Sequence, residues 1–286
     1  MRLSPLRALT VTGLTLCLAL VVAPTAQASP TSVVDIAHRG FSGAAPENTI
    51  AAVELALRQN ASYVEVDIQR TADGELVAVH DTTLERTTDV EEVFPQRAPW
   101  RVGDFTLAEI RQLDAGSWFS EEFAGERIPT LREVVDSLGR RAGLLLEVKA
   151  PELYPGIERD IDKELAAVPG YLTSAVATGR FVVQSFDHES MRRFHDLQPA
   201  VPIGLLYSDR PTESDLAEAK GWAAQINPSY RVTDSELVER VHELDMTISV
   251  YTLNDAETMR AYRDMGVDGI ISDYPDVLRD VLRERG

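Results

Sequence analysis

Tyr63-Val64-Glu65-Val66-Asp67-Ile68-Gln69-Arg70-Thr71-Ala72-Asp73-Gly74-Glu75-Leu76-Val77-Ala78-Val79-His80 alternates apolar and polar side chains, breaks at Asp-Gly, and resumes in strand-forming residues. A period of two is that of a strand with one face against a core. Glu65 and Asp67, two apart, therefore project to the same side. Asp73-Gly74 between two such runs is a strong hairpin signal. The chain is thus expected to double back over Leu76–His80 instead of entering a helix. A two-residue turn would set Ala72 against Glu75 and, counting outward, Asp67 against His80, with Cβ atoms about 4.5–5.5 Å apart. A slip of one residue would cancel that pairing.

On either side of the hairpin, strand patterns recur at Val33–Ala37, Leu144–Val148, Phe181–Ser185, Ile203–Tyr207, Ala223–Ile226, Thr247–Tyr251 and Gly269–Ile271. Amphipathic stretches separate most of them, among them Asn48–Arg58, Leu131–Leu138, Ile157–Val168, Glu189–Leu197, Asp234–Leu244 and Ala256–Met265. Asn48, Asp187, Thr233 and Asp255 stand where helix caps belong. Counting Tyr63–Gln69, eight strands alternate with helices. This predicts an α/β fold, a closed (β/α)8 TIM barrel with a short insertion after strand two. An open doubly wound sheet is the alternative, but no Gly-rich phosphate loop follows the first strand. Asp81 to Pro129 is long for a loop, which predicts a rim or lid over the mouth or an insertion packed on the barrel flank.

Composition narrows the function. The 286 residues carry 46 acidic and 28 basic side chains, a formal net charge of −18, with 44% hydrophobic residues. That is enough apolar content for a core and excludes a disordered chain. The acidic balance excludes nucleic acid as a partner and disfavours a basic membrane-docking face. Arg2 and Arg7, the uncharged run Leu14–Ala23, and Ala26-Gln27-Ala28 read as a signal peptide over residues 1–28. Residues 29–286 are then one barrel domain, secreted or otherwise extracytoplasmic, with no stable membrane span. A retained anchor is the alternative. Cys17, the only cysteine, lies inside the signal, so thiolate chemistry and disulfides are not expected beyond it.

Chemistry-bearing residues cluster at the carboxyl ends of the expected strands, the face where barrels work. His38 and Arg39 follow strand one, Glu65 and Asp67 lie on strand two, and His80 ends the return strand. Glu147 and Lys149 end the strand over Leu144–Val148. Three converging carboxylates repel unless neutralised. Arg39 and Lys149 supply part of the positive charge and one divalent cation the rest, with all-oxygen ligands selecting Mg²⁺ or Ca²⁺. A structural ion-pair network of the same side chains is the bland alternative. Two histidines suit acid–base work near neutral pH, and the arginine fork suits phosphate. The small-molecule partner is therefore expected to carry phosphorus. A glycosidase would use Glu65 and Glu147 as its pair, but the adjacent Asp67, Lys149 and Arg39 favour phosphate. A non-catalytic phosphodiester-binding barrel is a third reading. Glu47 and Asn48 could reach the mouth, Asn48 being at least as suited to cap the first helix; Asp81 either orients His80 or shapes the turn, and Phe186, Trp118 and Tyr251 line a channel or pack. His188, His195 and His242 are expected at surface or cap positions.

Several of these residues stand in a familiar order. His38-Arg39-Gly40, Ala45-Pro46-Glu47-Asn48-Thr49, Glu65-Val66-Asp67 and His80-Asp81-Thr82-Thr83-Leu84-Glu85-Arg86-Thr87-Thr88 come first. Leu146-Glu147-Val148-Lys149, Gln184-Ser185-Phe186-Asp187 and Gly266-Val267-Asp268-Gly269-Ile270-Ile271-Ser272-Asp273-Tyr274-Pro275 follow. This ordered set resembles the glycerophosphodiester phosphodiesterase family. The resemblance implies a TIM barrel that hydrolyses glycerophosphodiesters to glycerol 3-phosphate and an alcohol. It implies His38 and His80 as the acid–base pair, and Glu65, Asp67 and Glu147 as metal ligands. Arg39 and Lys149 would face the phosphate. Lysophospholipase D action on a singly acylated lipid at the same site is the alternative. Tyr251 stands where many relatives have Trp, and Ser272 where Thr is common.

Overall fold

The computed structural model describes residues 33–284; the export segment expected at 1–28 lies outside them. Nine strands follow in chain order: β1 (Val34–Ala37), β2 (Tyr63–Arg70), β3 (Leu76–Ala78), β4 (Gly143–Val148), β5 (Phe181–Ser185), β6 (Ile203–Tyr207), β7 (Gln225–Pro228), β8 (Thr247–Val250) and β9 (Gly269–Ser272). β1 pairs in parallel with both β2 and β9, and β2 pairs onward with β4. Eight parallel strands therefore close into a barrel, and β3 hangs antiparallel on β2 outside the ring. The expected barrel is the fold the chain adopts. β7 begins two residues late because Ala223 N–H is still bonded to Ala219 O, closing the turn that follows the helix Glu213–Ala219. Among the described residues, no helix is long and apolar enough to cross a membrane.

Alternation sorts the side chains. Val64, Val66 and Ile68 of β2 and Leu144, Leu146 and Val148 of β4 belong to the large core between strands and helices. Ile36, Leu145, Val182 and Ile271 have the opposite parity and plug the barrel interior. Glu65, Asp67 and Glu147 share that inward parity, and in register Asp67 stands beside Glu147. The strand period thus places an apolar plug at mid-barrel and carboxylates toward the mouth.

The hairpin differs from expectation by one residue. Ile68 faces Ala78 and Gln69 faces Val77, so Asp67 meets Val79, not His80. The loop has three residues, Ala72 to Gly74, closed by Thr71 N–H to Glu75 O at 2.9 Å. Gly74 takes the left-handed conformation that such a loop requires, at φ +90°. The cause is the Asp73 side chain. It is drawn away from the turn to accept from the Thr71 hydroxyl at 2.6 Å and from Leu107 N–H in the insertion at 2.9 Å. His80 reaches the mouth by another route, described below.

The insertion after β3 is neither lid nor bare loop. Val77, Val79, Leu84, Val90, Val102, Phe105, Ile110, Leu113, Ala115 and Ile128 form a small core of their own. The helix expected near Leu107–Leu113 is one turn, Leu107–Ile110. Most of the insertion's apolar side chains are turned into this core, Val93 and Trp118 being exposed, and none of them lines the mouth cavity. Two caps also shift. Thr49 caps the helix Ile50–Arg58, and Asp234, not Thr233, caps Ser235–Glu243.

Asp35 of β1 is 5% exposed and has a carboxylate oxygen without a hydrogen-bond partner. Burial pushes its carboxyl up to about 7, against the pull of Arg279. The group takes up a proton on folding. Its contribution is therefore fully present below the ordinary carboxylate range and is lost as pH rises through about 7. Asp35→Asn should leave stability nearly unchanged at pH 3 and raise it at pH 8, by up to about 4 kcal/mol. Thermal unfolding of both proteins at the two pH values tests this, and an unchanged difference across pH would refute it.

Candidate active site

Arg39 and Gly40 leave β1 with left-handed backbones, φ 54° and 80°. A Cβ on Gly40 would lie 2.6 Å from Ala52 carbonyl carbon, so glycine is needed where the loop packs on the first helix. The turn aims Arg39 N–H at Glu65 Oε2, 2.8 Å away. Its guanidinium meets Glu47 Oε1 at 2.9 Å and Asp67 Oδ2 at 3.4 Å. Of the two places open to Asn48, cap or mouth, it takes the second: buried, it donates to Asp67 Oδ2 at 2.8 Å and accepts from Asp67 N–H at 3.1 Å. Lys149 Nζ lies 2.5 Å from Glu147 Oε1 and 3.3 Å from Asp67 Oδ1.

Glu65, Asp67 and Glu147 are 1%, 0% and 6% exposed, and one oxygen of each lies within 4.8 Å of the others. Glu65 Oε1, Asp67 Oδ1 and Glu147 Oε1 are buried with no hydrogen-bond donor aligned on them. Lys149 brings charge to two of the three but no well-aligned hydrogen bond. Burial, with Asp67 and Glu147 alongside, pushes the Glu65 carboxyl well above its usual range. Burial also raises Glu147 to about 7 despite Lys149. Burial opposes ionisation of Asp67 too, but there Lys149 and Arg39 outweigh it and hold the carboxyl low. Protein cations thus settle one carboxylate of the three. Three buried carboxylates gathered within 4.8 Å of one another, each with an oxygen that no donor is aligned on, fit a divalent cation, and these side chains could hold one.

The histidines stand on the same cavity, about 190 Å³ in volume, which Arg39, Glu65, Glu147 and Lys149 also line. His38 Nδ1 is 2.6 Å from Asp273 Oδ1. Asp273 also accepts from Ser42 Oγ at 3.0 Å and Asn254 Nδ2 at 2.6 Å. Burial would raise that carboxyl, but His38 and Asn254 hold it at about 2. His80 Nδ1 is 2.6 Å from Asp81 Oδ1, so Asp81 does orient the ring. Arg86 grips Asp81 from Nε at 2.6 Å and Glu47 through two nitrogens at 2.7 and 2.8 Å. Burial lowers His80, partly offset by Asp67, which favours the neutral ring. In both histidines Nδ1 is engaged by a carboxylate, which leaves Nε2 for chemistry.

All seven residues expected from the sequence meet at this mouth. Phe186 and Tyr251 line it, ring centroids 5.9 Å apart edge to face, and Trp118 does not. His188 does not line the cavity but bonds the carbonyl of Leu206 behind its wall, and His242 bonds Asp268. Asp273 and the Glu47–Arg86 pair were not assigned roles from sequence. Barrel closure carries the signal for Asp273: β9 lies beside β1, so the residue after one strand reaches the residue after the other.

Comparison with known proteins agrees with this geometry. The glycerophosphoryl diester phosphodiesterase family pattern matches residues 38–277. A glycerophosphodiester phosphodiesterase of Bacillus subtilis (strain 168) is 35% identical over 269 residues, 89% of this chain and 88% of that protein. One from Caldanaerobacter subterraneus subsp. tengcongensis is 40% identical over 253 residues, 88% of this chain and 98% of its own. A phosphodiesterase from Oleispira antarctica, solved in complex with the product sn-glycerol-3-phosphate, superposes with a TM-score of 0.74 at 30% identity, covering 87% of this chain and 96% of that one. Barrel, mouth and sequence agree, and the chain belongs to the glycerophosphoryl diester phosphodiesterase family.

Proposed function

We propose that this enzyme hydrolyses water-soluble glycerophosphodiesters to glycerol 3-phosphate and an alcohol, with His38 and His80 as its acid–base pair. The observation that carries the reading is that two carboxylate-backed imidazoles line one cavity together with Glu65 and Glu147 of the acidic cluster. Arg39 and Lys149 bind the phosphodiester and hold its charge. One imidazole takes the proton from the attacking oxygen, water or the substrate's own glycerol 2-hydroxyl, as that oxygen bonds to phosphorus. The bond from phosphorus to the alcohol breaks, and the other imidazole delivers a proton to the departing oxygen. With water as the nucleophile this gives glycerol 3-phosphate directly; with the 2-hydroxyl it leaves a cyclic phosphodiester, which water then opens to glycerol 3-phosphate with the two imidazoles exchanging duties. Glu65, Asp67 and Glu147 would hold one Mg²⁺ or Ca²⁺, which would supply Lewis-acid stabilisation of charge on the phosphoryl group.

Acylated lysophospholipids are the second substrate class. They would need an apolar channel, and the insertion spends most of its apolar side chains on its own core. The export signal read over residues 1–28 places the reaction outside the cytoplasm in this proposal. Glycerophosphocholine with Mg²⁺ or Ca²⁺ should release glycerol 3-phosphate, and excess chelator should stop the release. Failure to turn over any glycerophosphodiester at saturating metal would sink the reading. Faster turnover of acylated substrates would transfer it to the lysophospholipid class.

A further inference from the structure

We infer that Gln69, held by Tyr154, is the positioning residue that delivers His80 to the mouth. This rests on the proposal that His80 takes part in the reaction. The hairpin register does not deliver His80, because β3 ends at Ala78 and Asp67 pairs with Val79. Gln69 is on β2, two residues beyond Asp67, and is 0% exposed. Its Nε2 lies 2.9 Å from Val79 O, 3.1 Å from His80 O and 2.7 Å from Asp81 O. Three consecutive carbonyls are thus gathered on one amide nitrogen, a bend that a regular strand does not make.

Only a donor can occupy that point, since an oxygen there would face three carbonyl oxygens. Tyr154 selects the donor. Its hydroxyl gives a hydrogen bond of 2.8 Å to Gln69 Oε1, so the amide is turned with its nitrogen toward the carbonyls. Tyr154 is itself 5% exposed and stands five residues after Lys149, in the loop that leaves β4. The backbone of His80 is therefore pinned from the strand that carries two carboxylates of the acidic cluster, while Asp81 fixes the ring. Position and orientation of the imidazole have separate restraints. The first is the one a misplaced ring would lose, and displacement of a catalytic group by about 1 Å costs on the order of 100-fold in rate.

The test uses full-length protein, glycerophosphocholine and saturating Mg²⁺ or Ca²⁺. Gln69→Glu, which keeps the shape and puts an oxygen before the three carbonyls, should lower kcat about 100-fold with KM changed less than about threefold. Tyr154→Phe, the milder change, should lower kcat about three- to tenfold. The metal-induced rise in melting temperature should persist in both. On a His80→Ala background neither change should cost further rate, because both act through the ring that is gone. Additive losses on that background, or wild-type kcat in a folded Tyr154→Phe and Gln69→Glu pair, would overturn the inference. Full activity of His80→Ala alone would instead overturn the functional reading on which it rests. If Gln69→Glu does not fold, Tyr154→Phe alone and with His80→Ala decides the question.

Discussion

Glu65→Gln is expected to raise the melting temperature of the metal-free protein while abolishing both metal-induced stabilisation and turnover. The two halves of that result have one cause. Glu65 is buried, and only one of its oxygens is satisfied, by Arg39 N–H at 2.8 Å. The other faces Asp67 and Glu147 and has no donor. A glutamine keeps the acceptor for Arg39 and replaces the orphan oxygen by N–H groups that can donate to the neighbouring carboxylates. Removing one buried negative charge and satisfying one buried acceptor is worth about 1–3 kcal/mol. For a chain of this size that corresponds to about 2–10 °C in melting temperature. The same change would remove one of the three carboxylates proposed to hold the cation. Turnover should fall by at least about 1,000-fold, the several kcal/mol attached to a Lewis-acid metal. Thermal unfolding with chelator, then across a titration of Mg²⁺ or Ca²⁺, reads both halves. A Glu65→Gln variant that still gains wild-type stability from metal would show that the cation lies elsewhere. One that melts lower in chelator would mean the acidic cluster is an ordinary ion-pair network.

Most of the barrel was legible because its signals are local. Apolar runs of four to eight residues, alternation within Tyr63–Gln69, and caps such as Asp187 and Asp255 depend on near neighbours in the chain. The acids were legible for the same reason: inward parity on a strand is a matter of counting by two. What escaped depends on distant partners. The hairpin register turned on Leu107, thirty-four residues from Asp73 in sequence. Asn48 reads equally as a cap or a mouth residue until Asp67 claims its side chain, and Thr49 takes the capping. Asp273 lies 235 residues from His38 and meets it only because the ring closes. Arg86 looks like one charge in a turn, yet it ties the loop carrying His80 to the loop carrying Arg39 through Glu47. The residues that line the mouth are thus legible from the sequence, as is Asp81 behind His80, whereas most of the contacts that hold them exist only after the chain has closed.

The largest paired effect should come from the imidazoles themselves. His38→Ala and His80→Ala are each expected to lower kcat on glycerophosphocholine by about 100- to 10,000-fold. KM and the stabilisation by metal should change little, because neither ring belongs to the acidic cluster. The histidines differ in their surroundings: His38 is backed by an Asp273 that two further donors hold, whereas His80 is backed by an Asp81 that Arg86 grips. That asymmetry suits different duties, and a change of leaving group separates them. An activated aryl phosphodiester of glycerol expels an oxygen that needs no proton at neutral pH. The variant lacking the acid should regain most of its rate on that substrate. The variant lacking the base should stay slow on both, since the nucleophile still has to lose its proton. Recovery by one variant alone names the acid and, by elimination, the base. Recovery by neither would move leaving-group protonation to another residue. Wild-type rates in both variants would remove the histidines from the chemistry altogether and leave the acidic cluster and the two cations, Arg39 and Lys149, as the whole of the catalytic apparatus.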